Sequence, residues 1–199
     1  RDADGFTALS HAAQHGHVNL AEYLLSQAAD PGLNDGMRET PLHHAARSGH
    51  AQLAQMLCDA SAPLEALNKA DGTPLHVAAF FGRHDVVRTL LGANASPDAT
   101  DAQHATPLHY ATFRGNDECT QALVGGGAGL DIRDKEYRTP FDVAQLARRA
   151  RSKPRPRVAE HADDYEEGLE AYSPPPPPRA YVVRLSLIHI SEPTRPLYI

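Results

Sequence analysis

The sequence predicts an all-α solenoid of helix-turn-helix units joined by β-hairpins or turns, followed by a disordered C-terminal tail. Three observations predict it. Thr7, Thr40, Thr73, Thr106 and Thr139 stand 33 residues apart with no insertion. Three of them open near-identical runs: Thr40-Pro41-Leu42-His43-His44-Ala45-Ala46, Thr73-Pro74-Leu75-His76-Val77-Ala78-Ala79 and Thr106-Pro107-Leu108-His109-Tyr110-Ala111-Thr112. Gly16, Gly49, Gly82 and Gly115 each follow their threonine by nine residues. A fixed period of this length marks stacked repeats, in which each unit buries its apolar face only against its neighbours.

Each element of the unit has a physical reason. Threonine is a good N-cap, because its hydroxyl accepts from a free backbone N–H of the first turn. Proline at the next position costs nothing, since that N–H has no helical partner. A short first helix follows, such as Pro74–Phe81, and stops at the glycine, which adopts the left-handed conformation of a C-cap. The second helices are predicted over Val18–Gln27, Ala51–Asp59, Asp85–Leu91 and Asp117–Val124, with apolar pairs such as Leu24-Leu25 and Leu90-Leu91 facing inward. The dozen residues between units are rich in Asp, Asn, Gly and Pro and read as a turn or hairpin reaching to the next unit. Alanine pairs such as Ala12-Ala13 and Ala78-Ala79 let first helices approach closely. Weaker copies of the motif open at Thr7-Ala8-Leu9-Ser10 and Thr139-Pro140-Phe141-Asp142. In the fifth unit Arg148 replaces the glycine, so Thr139–Arg151 reads as a single polar-faced capping helix, with Phe141 at the core position of the motif leucine.

These runs resemble the ankyrin-repeat family, whose 33-residue unit bears Thr-Pro-Leu-His before an alanine pair. The resemblance covers Arg1–Arg151, four repeats and a truncated fifth. It implies a curved stack with a concave face of turn tips and first helices, a monomeric array, and protein recognition without chemistry on the partner. An alternative reading is the recognition arm of a larger enzyme, such as a kinase, a protein acyltransferase or a ubiquitin ligase component. A further alternative is an ankyrin-bearing channel whose other domains lie outside the chain. Fold does not choose between them.

The remainder lacks apolar periodicity. Residues 152–184 read as a disordered linker. Six basic residues fall in Arg148–Arg157 and six acidic ones in Glu160–Glu170, and Pro174–Pro178 is closed by Arg179. Pro174, Pro177 and Arg179 fit a polyproline II ligand for an SH3-type domain. The basic block fits a nuclear import signal, or a neutraliser of the carbonyl end of the last helix. Leu185–Arg195 resembles the conceptual translation of a transposase adapter used in sequencing libraries, and residues 185–199 are therefore set aside as non-native. The chain opens at Arg1 almost directly inside a repeat, which reads as an internal fragment.

Composition narrows the function. Residues 1–147 hold 10 Lys/Arg against 18 Asp/Glu, a net of −8, which repels phosphate backbones and argues against nucleic acid. No apolar run reaches membrane-spanning length. Cys58 and Cys119 fall on second helices of different repeats and are read as packed free thiols. That usage suits a reducing compartment, the cytoplasm or, through the basic block, the nucleus. No nucleophile motif or phosphate loop is present, and the Gly125–Gly127 run ends a helix instead of opening one. Of the 12 histidines, His43, His76 and His109 are motif positions and His17 and His50 follow the helix-ending glycine; His11, His15, His44 and His104 are extra, but no Cys or carboxylate stands at ligand spacing. No metal, cofactor or catalytic residue is expected.

The resemblance places the variable, groove-facing positions just before the threonine and seven or eight residues after it. Those offsets hold Phe6, Met37, Gln14, His15, Arg47, Ser48, Phe80, Phe81, Phe113 and Arg114. A partly exposed cluster of Phe80, Phe81 and Phe113 is expected on repeats three and four, with a polar surround. Buried aromatics dominate many interfaces. The alternative is that Phe80 and Phe81 merely pack on the neighbouring turn.

Overall fold

The computed structural model describes residues 1–152; the tail readings, including the SH3-type ligand and half of the basic block, lie outside the described residues. Among these residues there are nine helices and no strands. First helices are α1 (Ala8–His15), α3 (Pro41–Ser48), α5 (Pro74–Phe80), α7 (Pro107–Arg114) and α9 (Pro140–Ser152). Second helices are α2 (Val18–Ser26), α4 (Ala51–Asp59), α6 (His84–Gly92) and α8 (Asp117–Gly125). First helices pack on first helices in the order α1, α3, α5, α7, α9, and second on second in the order α2, α4, α6, α8. The core between them is continuous. Leu9, Leu42, Leu75 and Leu108 are all at most 2% exposed, and Ala12, Ala45, Ala78 and Ala111 are fully buried.

The caps form as the pattern demands, and the interior ones do more. Thr7, Thr40, Thr73 and Thr106 are extended N-caps. In repeats two to four the motif histidine closes the box: His43 Nδ1 accepts from the Thr40 N–H at 3.2 Å and lies 2.9 Å from its hydroxyl. A backbone N–H can only donate, so Nδ1 is the acceptor and Nε2 carries the proton. Nε2–H then donates across the junction to the Gly72 carbonyl at 3.1 Å. His76 reaches the Ala105 carbonyl and His109 the Arg138 carbonyl, each at 3.1 Å. Burial, chiefly, holds these imidazoles below their ordinary value: His43 falls to about 4, and His76 and His109 shift the same way.

A second contact spans each junction at the glycine. Gly49 has φ 91°, and a Cβ there would lie 2.9 Å from the Arg83 side chain, whose Nε donates to the Arg47 carbonyl at 3.0 Å. Asn116 does the same over Gly82, donating to the Ala79 carbonyl at 2.8 Å. With no glycine at position 148, α9 runs on to 13 residues, and Arg151 lies over Gly115, donating to the Phe113 carbonyl at 2.8 Å.

The units are linked by tight turns. Asp35 Oδ1 accepts from the Met37 and Glu39 N–H groups, and Asn68, Asp101 and Asp134 repeat the arrangement. Neighbouring turns are tied by single backbone bonds such as Lys69 N–H to the Met37 carbonyl at 3.1 Å.

One expectation is corrected. Phe141 does not sit in the core but is 67% exposed. The motif leucine is covered by the repeat that follows it, and no repeat follows the fifth among the described residues.

Candidate partner-binding surface

The ends of the first helices in repeats two, three and four converge on a short stack. Phe80 is the last residue of α5 and Phe81 its C-cap; both are half-buried. Their rings meet edge to face with centroids 5.1 Å apart. Arg47 of the preceding repeat lies over Phe81, 5.1 Å from its centroid. Arg114 of the following repeat lies over Phe80 at 4.6 Å. Tyr110 flanks Phe80 at 5.9 Å. Guanidinium faces on aromatic rings are attracted by the ring quadrupole, so each cation is oriented while its edges stay open to hydrogen bonds.

The two arginines differ. Arg47 is already bound to the buried carboxylate of Glu39, whereas exposed Arg114 has no carboxylate partner among the described residues. Phe113 is half-buried next to Arg114. Ser48 and Gln14 are half-buried and His15 is exposed, its ring 5.9 Å from that of His17. Met37 stands exposed at the tip of the second turn. Phe6 belongs to a separate group, packed over His11 at 5.0 Å and His44 at 4.7 Å.

Beneath Phe6 lies a network that the chain order conceals. His44 Nε2 is 2.9 Å from Asp35 Oδ2, and His44 Nδ1 is 3.8 Å from Glu39 Oε2. His11 meets Asp2 at 2.8 Å in the same way. For His11 and His44 the expectation of no carboxylate partner is therefore corrected: the turn folds residues nine apart onto each other. Ligand atoms of Asp35, Glu39 and His44 all lie within 4.8 Å of one another. Every group there already has a protein partner, since Arg47 neutralises Glu39 and Asp35 Oδ1 is bound by two N–H groups. Burial lowers the His44 pKa in spite of the raising fields of Glu39 and Asp35.

Tyr110 and these turn carboxylates were not singled out from the sequence. The signal existed in the period: Asp2, Asp35, Asn68, Asp101 and Asp134 all precede their threonine by five residues. Nine positions after three of the aspartates stand His11, His44 and Tyr110, and Tyr110 donates its hydroxyl to Asp101. Nine after Asn68 stands Val77, which cannot donate.

Family models match most of the chain. A model of ankyrin repeats in three copies matches residues 27–101 and again 75–150, and a model of a single ankyrin repeat matches residues 4–36. No curated protein matches the chain.

Proposed function

Because the chain belongs to the ankyrin-repeat family, whose repeats are generally protein–protein interaction modules, we propose that it holds a partner protein against its first-helix and turn face. The stack Arg47–Phe81–Phe80–Arg114 carries this reading. It offers a partly exposed aromatic platform set in place by two oriented cations. An apolar side chain of the partner settles on Phe80 and Phe81, with Phe113 beside them. Arg114 takes a carboxylate of the partner; Arg47, shared with Glu39, chiefly holds Phe81 in place. Met37, Ser48, Gln14, His15 and Phe6 form the outer contacts. The protein works in a reducing compartment, cytoplasmic in this reading. Both cysteines are free thiols, and burial, chiefly, pushes Cys119 up to about 11, too high for a nucleophile. No helix among the described residues is long and apolar enough to cross a membrane.

The test is a partner recovered by pull-down and titrated against variants. Phe81→Ala is expected to lose about 30-fold in affinity, in line with ~2 kcal/mol for a central aromatic. Arg114→Ala should lose less. Unchanged affinity in both Phe81→Ala and Phe113→Ala, with the fold intact by circular dichroism, would place the site elsewhere.

A further inference from the structure

The C-terminal end of the array presents a second apolar surface, on a different part of the molecule. Helices α2, α4, α6 and α8 stack in succession, and the fifth repeat supplies no second helix to follow α8 among the described residues. The consequences can be read position by position. Ala21, Ala54 and Val87 are fully buried, while Thr120 at the same repeat position is only half-buried. Leu25, Cys58 and Leu91 are half-buried, while their counterpart Val124 is 45% exposed. Beside it stand the exposed side chains of Phe141 and Leu130.

These residues line one cleft of about 660 Å³. Its walls are two stripes at helical spacing, Asp117, Thr120 and Val124 on α8 and Phe141, Ala144 and Arg148 on α9. Leu108 forms part of its lining. The cleft continues the surface by which every earlier second helix receives the next one, so its shape is that of a seat for a helix. Its charge is that of an end lip: Arg148 has no carboxylate partner among the described residues, and Arg151 stands beside it. Asp117 lies on the α8 side, where a partner carboxylate would be repelled.

We propose that this cleft docks an amphipathic helix of a partner protein, its apolar stripe on Phe141, Val124 and Leu130 and its acidic flank along Arg148. Continuity with the α2–α8 stack argues for the helix, and the cation on the α9 lip, which has no carboxylate partner among the described residues, argues for the acidic flank. The occupant is independent of the one proposed for the Phe80–Phe81 platform.

Two labelled helical peptides of about 20 residues test it, long enough to hold a helix in water. Both carry one leucine stripe; one is flanked by Glu, the other by Lys. Titrated with the full chain and read by fluorescence anisotropy, the Glu peptide is expected to bind. Phe141→Ser and Arg148→Glu should each weaken it about tenfold or more, and Phe81→Ala should leave it unchanged. Circular dichroism confirms that the exposed-site variants stay folded. Equal binding of both peptides, absence of binding, or indifference to Phe141→Ser overturns the proposal. A dimer by sedimentation that Phe141→Ser abolishes also overturns it, because the occupant is then a second copy.

Discussion

His76 and Asp142 occupy the same position of their repeats, three residues after a capping threonine, yet they act differently. Both close the local box: His76 Nδ1 takes the Thr73 N–H at 3.1 Å, and Asp142 Oδ2 takes the Thr139 N–H at 3.0 Å. His76 also crosses to the Ala105 carbonyl, and it is buried by the repeat that supplies that carbonyl. Asp142 is exposed and makes no such crossing among the described residues. The leucine position shows the same divergence, with Leu75 1% exposed and Phe141 67% exposed. A repeat residue is thus worth what its follower makes of it. Identical local chemistry yields a junction inside the stack and only a helix cap at its end.

The largest effect expected from this contrast is on the pH dependence of stability. The interior histidines are buried neutral, and His43 titrates near 4 in the fold against an ordinary 6.5. As pH falls through 6.5 the unfolded chain takes up protons that the fold refuses, so stability is complete above 6.5 and lost on going down towards 4. His43 alone contributes about 3 kcal/mol to that loss, at 1.36 kcal/mol per unit, and His76 and His109 add in the same direction. Asp142 behaves otherwise. The backbone N–H of Thr139, chiefly, lowers its pKa below 3.8, so its stabilisation is present above that value and fails only at lower pH. Urea unfolding at a series of pH values should therefore weaken between 6.5 and 4, and His43→Gln should flatten the slope while Asp142→Asn leaves it unchanged.

Next in size is the pair Leu75→Ala and Phe141→Ala. Removing the buried leucine leaves a cavity and should cost about 3 kcal/mol, whereas the exposed ring should cost less than about 1 kcal/mol. Equal losses in urea unfolding would contradict the contrast between interior and end. The smallest comparison is between the caps. Thr73→Ala removes a buried cap and should cost about 2 kcal/mol, and Thr139→Ala about 0.5 kcal/mol. Differential scanning calorimetry would resolve the difference as a shift in Tm.

Much of the fold was legible because its signals are local. The capping threonine and the glycine nine residues on place α1, α3 and α7 as expected, and α5 stops one residue short, at Phe80. The second helices fall within a residue of their expected limits. The missing glycine at Arg148 signalled the long final helix. Phe141 was misjudged because its burial depends on a neighbour, which no pattern within a repeat encodes. The pairing of His44 with Asp35 was missed because only a closed turn brings them together. Of the candidate site, Phe80, Phe81, Arg47 and Arg114 do meet, whereas the engagement of Arg47 by Glu39 could not be read from offsets alone.

The most direct measurement concerns the face that meets the partner. A photo-crosslinking phenylalanine derivative is placed at Ser48, beside the aromatic platform, or at exposed Arg88 on α6. Recognition through the first-helix face predicts a covalent adduct with the recovered partner from position 48 and none from position 88. An adduct from position 88 alone would contradict it.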